Sequence, residues 1–237
     1  MIRLFFQTIF NNTPRIIKFL RGKNLFFPIG YSCPKISLGN KNACFTVNPK
    51  IISSDSIIYS FGIGTDISFD LQLINFFGST VFAFDPTPKS IQWLKLQDVP
   101  ESFKSFPIGL ANYTGEADFY LPENESHISA SMFSKQSNSI TRVEVKTLKD
   151  IMNELGHTYI DLLKMDIEGA EYDVIDDIIK SDIKIHQILI EFHHRFHPQG
   201  ITKTRNSIKR LKEAGFVLFY VSPIGEEFSF VNLQYHK

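Results

Sequence analysis

Short apolar runs that end in glycine or a carboxylate alternate along this chain with stretches whose apolar residues recur every three or four positions, the pattern of strands interleaved with helices. Ile57-Ile58-Tyr59-Ser60-Phe61 runs into Gly62-Ile63-Gly64-Thr65-Asp66, and a helix is predicted over about residues 67–76, with Ile67, Leu71, Ile74 and Phe77 near the spacing of one face. A second apolar strand, Val81-Phe82-Ala83-Phe84, ends at Asp85. Pro88 to Gln97 reads as a helix entered from Pro86 or Thr87. Phe103 to Leu110 reads as a strand, and Gly115 to Leu121 and Thr141 to Val145 as short alternating segments. Between the last two, the polar stretch from Glu123 to Ser139 predicts a mobile loop of the length that often serves as a lid.

The second half repeats the alternation. Leu148 to Leu155 predicts a helix closed by Gly156, and Ile160 to Met165 a largely apolar strand running into Asp166-Ile167-Glu168-Gly169-Ala170-Glu171. A helix follows from about Glu171 to Ile179, then a buried strand from Gln187 to Phe192, then a helix from Lys203 to Ala214 stopped by Gly215. Phe216 to Val221 and Glu227 to Val231 meet at Pro223-Ile224-Gly225 as a hairpin. This order implies an α/β fold: a doubly wound, mostly parallel sheet covered on both faces, with right-handed crossovers and one antiparallel edge made by the hairpin.

With 237 residues and 43% hydrophobic content, the expected organisation is one domain, residues 55–237, behind a basic N-terminal extension, residues 1–54. Net charge is zero, but the first 54 residues hold eight Lys or Arg and no Asp or Glu. Residues 1–26, with Arg3, Arg15, Lys18, Arg21 and Lys23 among apolar neighbours, are read as a helical arm packed on the domain; the alternative is a peripheral contact with an anionic membrane face or an anionic acceptor. No apolar run approaches the roughly 20 residues of a bilayer span. The run Ile2 to Phe10 is broken by Gln7 and Thr8 and lacks a small-residue cleavage site, which makes a signal peptide the minor reading of it. Cys33 and Cys44 form no metal or redox spacing, which suits a reducing cytoplasm. No nucleic-acid partner is expected, and oligomeric state is left open.

The glycine turn and Asp85 together read as a nucleoside-cofactor site. Gly62 and Gly64 let the main chain bend tightly, the following helix offers unpaired amides, and Asp85 falls where a carboxylate can accept hydrogen bonds from both ribose hydroxyls. A dinucleotide fingerprint would need glycine where Ile67 stands, which weakens a nicotinamide-dependent oxidoreductase as the alternative. S-adenosyl-L-methionine has no phosphate to cradle and needs only the turn and the carboxylate.

The chain resembles the FkbM-type methyltransferase family through Asp161-Leu162-Leu163-Lys164-Met165-Asp166-Ile167-Glu168-Gly169-Ala170-Glu171, the Ser60-Phe61-Gly62-Ile63-Gly64 turn with Asp66 and Ser68-Phe69-Asp70, Phe84-Asp85-Pro86-Thr87-Pro88, Thr147-Leu148-Lys149-Asp150 and Ile190-Glu191-Phe192-His193. The resemblance covers about residues 55–232. It implies the class I methyltransferase (Rossmann-like) sheet, seven strands with the last reversed, and an S-adenosyl-L-methionine-dependent O-methyltransferase acting on a sugar, glycan or polyketide-like hydroxyl. Gly62, Gly64 and Asp85 match the family's cofactor positions. Ser60 stands where an acidic residue commonly opens the glycine motif and Asp66 where a third glycine is common, so Asp66 or Asp70 is the candidate for the methionine amine.

Methyl transfer to a hydroxyl requires removal of its proton as it attacks. Asp166, Glu168, Glu191 and His193 fall at the carboxyl ends of two central strands, with Asp166 expected to orient the acceptor, His193 or Asp166 to take the proton, and Glu168 to be either part of the site or a cap on the next helix. An unperturbed histidine pKa near 6.5 suits a base at neutral pH. Glu171 reads as a surface or capping residue and Lys164 as structural. Asp166, Glu191 and two imidazoles of the His193, His194 and His197 turn could form a mixed oxygen and nitrogen site, but such a turn before Pro198 reads first as polar loop surface, and no metal is assigned. A third class is a catalytically idle domain that binds a glycan or protein.

Overall fold

A computed structural model describes residues 27–41, 43–120, 140–196 and 199–235. The cationic stretch 1–26, the polar stretch expected to act as a lid, and His197 therefore lie outside the described residues. Twelve strands are described. β1 is Ile36–Leu38, β2 Phe45–Val47, β3 Ile57–Phe61, β4 Thr80–Phe84, β5 Phe103–Phe106 and β6 Gly109–Leu110. β7 is Gly115–Tyr120, β8 Ile140–Lys146, β9 Ile160–Met165, β10 Ile185–Glu191, β11 Phe216–Val221 and β12 Glu227–Asn232. The α-helices are α1 Ser68–Phe77, α2 Pro88–Leu94, α3 Leu148–Leu155, α4 Glu171–Lys180 and α5 Gly200–Glu213.

The central sheet has the order β11-β12-β10-β9-β3-β4-β5. Every residue of β9 is buried, as expected of a strand covered on both faces. β10, β9, β3, β4 and β5 run parallel. This is the class I methyltransferase sheet, with one correction to its edge: β12, the reversed strand, pairs antiparallel with both β10 and β11, so the edge itself is β11, parallel to the rest. Five of the six residues of β12 are buried, including Phe228, Phe230 and Val231, and an interior position hides more of that apolar surface than an edge would.

Two core layers enclose the sheet. On one side Leu148, Ile151 and Met152 of α3, Val174, Ile175 and Ile178 of α4 and Ile208 and Leu211 of α5 pack against Leu163, Met165, Ile188 and Ile190. On the other, α1 shares a cluster with Leu38, Phe45 and Val47 of the β1–β2 hairpin and with Ile58, Leu162 and Leu189. Residues 27–54 thus pack on the domain: the main-chain N–H of Asn48 donates to Gln187 Oε1 (2.7 Å), the Ser229 hydroxyl to the Thr46 carbonyl (2.7 Å), and the Gly30 N–H to the Leu218 carbonyl (2.9 Å). The hairpin also turns α1. Phe69, Leu73 and Ile74 are buried, while Leu71 and Phe77 of the expected face are half-buried, because Phe69 meets the Phe45 ring at 5.4 Å.

The segment expected as one strand from Phe103 to Leu110 splits at Pro107, which has no N–H for a ladder. Its second part, β6, leaves the main sheet and opens a small sheet of order β6-β8-β7. Among the described residues no helix is long and apolar enough to cross a membrane.

Candidate active site

At the carboxyl end of β3 the chain turns through Gly62 (φ 75°) and Gly64 (φ 52°). The Gly62 N–H donates to the Phe84 carbonyl (2.9 Å) and the Asp166 N–H to the Phe61 carbonyl (3.1 Å), so three strands meet here. A Cβ on Gly62 would lie 1.6 Å from the Asp166 carbonyl oxygen, so the neighbouring main chain alone requires glycine here. Lys164 fastens the turn from the next strand. Its buried Nζ donates to the carbonyls of Phe61 (3.1 Å) and Gly62 (2.7 Å), with Asp166 Oδ2 at 3.8 Å and the Phe45 ring beneath it.

Asp85, buried at the end of β4, accepts from the Gly64 N–H (Oδ2, 2.9 Å) and from the Thr87 N–H and hydroxyl (Oδ1, 2.9 and 2.6 Å). Three of its four lone-pair positions are spent, which leaves one on Oδ2 for a ribose hydroxyl where the sequence suggests two. Asp66 accepts from the Ser68 N–H (2.9 Å) and the Asn40 amide (3.3 Å). Burial opposes its charge, but those hydrogen bonds and nearby Lys164 win and hold its carboxyl below the usual range. Asp70 faces the core, 2% exposed and pushed up by burial, and does not line the pocket, so of the two candidates for an ammonium contact only Asp66 is at hand.

These residues border a cleft of about 400 Å³. Gly62, Gly64, Asp66, Asp85, Asp166 and Glu168 line its polar side. Phe84, Ile108, Leu110 and Phe119 form an apolar wall, to which the small sheet contributes Leu110 and Phe119. Beyond Asp166 lies a knot of acids around His193. Its Nδ1 donates to Glu171 Oε1 (2.5 Å), which also accepts the Gly169 N–H (3.0 Å). Its Nε2 stands 3.4 Å from Glu168 Oε2, 3.6 Å from Asp166 Oδ1 and 3.9 Å from Glu191 Oε1.

Residues 56–218 match the model of the Methyltransferase FkbM domain, more than half of the chain. The chain belongs to the FkbM methyltransferase family. It is 27% identical over 187 residues to the Homo sapiens protein named probable methyltransferase-like protein 24, covering 74% of this chain and 45% of that protein. The Rattus norvegicus protein of the same name is 28% identical over 174 residues, covering 69% and 42%. The chain thus spans less than half the length of these curated relatives. A solved FkbM methyltransferase from Methylobacillus flagellatus KT aligns with 15% identity and a TM-score of 0.48, over 76% of this chain and 44% of that one.

Within this FkbM domain the electrostatics depart from the sequence reading at three residues. His193 does not keep an unperturbed imidazole's value: burial disfavours its charge, but the Glu171 hydrogen bond and the Glu171, Glu168 and Asp166 carboxylates outweigh that and raise it to about 10. Glu171 is no surface group: it is fully buried, where it accepts the Gly169 N–H at the start of α4, as a cap would, and also holds His193. Glu191 is pushed up to about 8 by burial and by Asp166, and faces Glu227 directly across the β10–β12 ladder. Glu168 adopts a left-handed backbone (φ 53°), a conformation that costs a non-glycine residue about 1–3 kcal/mol and concentrates at functional sites. His194 is buried and stands outside the group formed by Asp166, Glu191 and His193. Glu171 and Glu227 carry no local signal of a role; only the neighbouring strands bring them in.

Proposed function

We propose that this methyltransferase domain carries a methyl group from S-adenosyl-L-methionine to a hydroxyl of a sugar, glycan or polyketide-like acceptor. The observation that carries the reading is one cleft lined by Asp66 and Asp85 together with Asp166 and Glu168. The residues fit the cofactor. The volume lies within the usual range for ligand sites of about 300–1,000 Å³, the spare lone pair of Asp85 suits a ribose hydroxyl, ionised Asp66 suits the amino-acid ammonium, and Phe84, Ile108 and Leu110 offer an apolar surface to a base. When bound, the cofactor supplies an electrophilic methyl group on a sulfonium.

The protein's own task is to position the acceptor oxygen and accept its proton. Asp166 reaches the cleft and His193 stands behind it with Nδ1 held by Glu171, so Asp166 is the group that orients the hydroxyl and takes the proton. His193 holds the surrounding carboxylates in place.

Calorimetry with S-adenosylhomocysteine and NAD tests the reading. Binding of the sulfur nucleoside and none of NAD is expected, with Asp85→Ala weakening it by about 100-fold, since hydrogen bonds to a charged group contribute about 1.5–3 kcal/mol each and this carboxylate also anchors Gly64. Tight NAD binding without the nucleoside would move the protein to the oxidoreductases. Isotope-labelled cofactor incubated with extracts, followed by mass spectrometry, would then name the acceptor.

A further inference from the structure

We propose that Asp166, Glu191 and His193 bind one divalent cation of the Mg²⁺ or Mn²⁺ class at the acceptor end of the cleft. One oxygen of each carboxylate and one ring nitrogen lie within 4.8 Å of one another. The set is built on rigid elements: Asp166 follows β9 directly, Glu191 ends β10, and His193 lies two residues on. From Nε2 the 3.6 Å to Asp166 and 3.9 Å to Glu191 exceed a hydrogen bond's 2.7–3.2 Å. Ligands held about 2.1 Å from a common octahedral ion stand about 3.0–4.2 Å apart, and both separations fall in that interval.

A second observation concerns the ring's other nitrogen. Nδ1 is bound to Glu171, a carboxylate with no exposed surface, which fixes the imidazole so that Nε2 faces Asp166 and Glu191, with Glu168 Oε2 also beside it at 3.4 Å. Metal-ligating histidines are oriented in this way by a carboxylate behind them. The third observation is charge. Asp166, Glu168, Glu171, Glu191 and Glu227 converge against two cations, His193 and Lys164, the latter shared between the carbonyls of Phe61 and Gly62 and Asp166 Oδ2 at 3.8 Å. Crowded, half-buried carboxylates are costly without compensation; in the unloaded site the His193 imidazolium supplies part of it, and an ion of charge two would displace that ring proton and take over the charge.

Two carboxylate oxygens and one imidazole suit a hard or borderline ion, the nitrogen favouring Mn²⁺ over Mg²⁺. Because Asp166 borders the cleft, the remaining coordination positions face the space assigned to the acceptor. A hydroxyl there would lose its proton more readily. The ion site stands on its own geometry, whereas its use in catalysis rests on the methyl-transfer reading.

Electron paramagnetic resonance titration of the full chain with Mn²⁺ tests it. One saturable site is expected, present also with S-adenosylhomocysteine bound. Glu191→Gln should weaken it by at least about tenfold, and Glu171→Gln, which disturbs only the orientation of His193, by about 10–100-fold. S-adenosylhomocysteine affinity should persist in Glu191→Gln, and Mn²⁺ should raise the thermal midpoint of the unaltered chain but not of that variant. Three results would overturn the site: no saturable Mn²⁺ binding, equal affinity in Glu191→Gln, or mutual exclusion with S-adenosylhomocysteine, which would assign the carboxylates to the cofactor's ammonium. Mn²⁺ binding without nucleoside binding would support the ion and strike only the methyl-transfer reading.

Discussion

A methyl group on Gly62 would sit 1.6 Å from the Asp166 carbonyl oxygen in a backbone with φ 75°, whereas one on Gly78, φ 68°, meets nothing nearer than Ser54 at 3.9 Å. Gly78→Ala should therefore cost only backbone strain, about 1–3 kcal/mol, while Gly62→Ala adds displacement of the β9 end and should leave little cooperatively folded protein. Urea unfolding of the two variants measures the difference, and equal midpoints would contradict the assigned close approach. The turn, Asp66 and Asp85 were legible in the chain because each lies within a few residues of a strand end whose apolar run is plain. Glu171 was not. In the first turn of α4 a carboxylate ordinarily favours the helix dipole, and nothing local shows that its side chain turns inward to His193, 22 residues on.

Among the elements, α1 shows how a correct helix can be given an incomplete face: Ile67 and Ile74 are buried as expected, but Phe69 and Leu73 join them and Leu71 and Phe77 sit at its margin. Periodicity alone ranked Leu71 with Ile74, but the β1–β2 hairpin adds a second packing surface and draws Phe69 and Leu73 inward. Leu73→Ala should cost about 2–5 kcal/mol, as a fully buried leucine does, and Leu71→Ala less than half of that, measured by chemical denaturation. The strands β9 and β10 announced themselves as continuous apolar runs because both of their faces are covered. β1 and β2, three residues each, are too short to carry a period. The reversed strand was visible as half of a hairpin, but its insertion between β10 and β11 depends on which neighbours bury its phenylalanines.

For the molecule entire, the family match begins at residue 56, yet Leu38, Phe45 and Val47 complete the core over Ile58, Leu162 and Leu189. A chain starting at residue 56 should expose that cluster and lose its cooperative thermal transition, followed by near-ultraviolet circular dichroism; an unchanged midpoint would show the hairpin to be dispensable. The alternation of strands and helices, the mostly parallel sheet it builds, and the glycine turn with Asp85 at the next strand end followed from the amino-acid pattern, because local periodicity and chain handedness fix them. The acid knot around His193 did not. Asp166, Glu171, Glu191 and Glu227 come from three strand ends and a helix, and their mutual distances, hence the charge they share and the cation they could hold, arise only when the parallel β9 and β10 end beside the start of the reversed β12 and the first turn of α4.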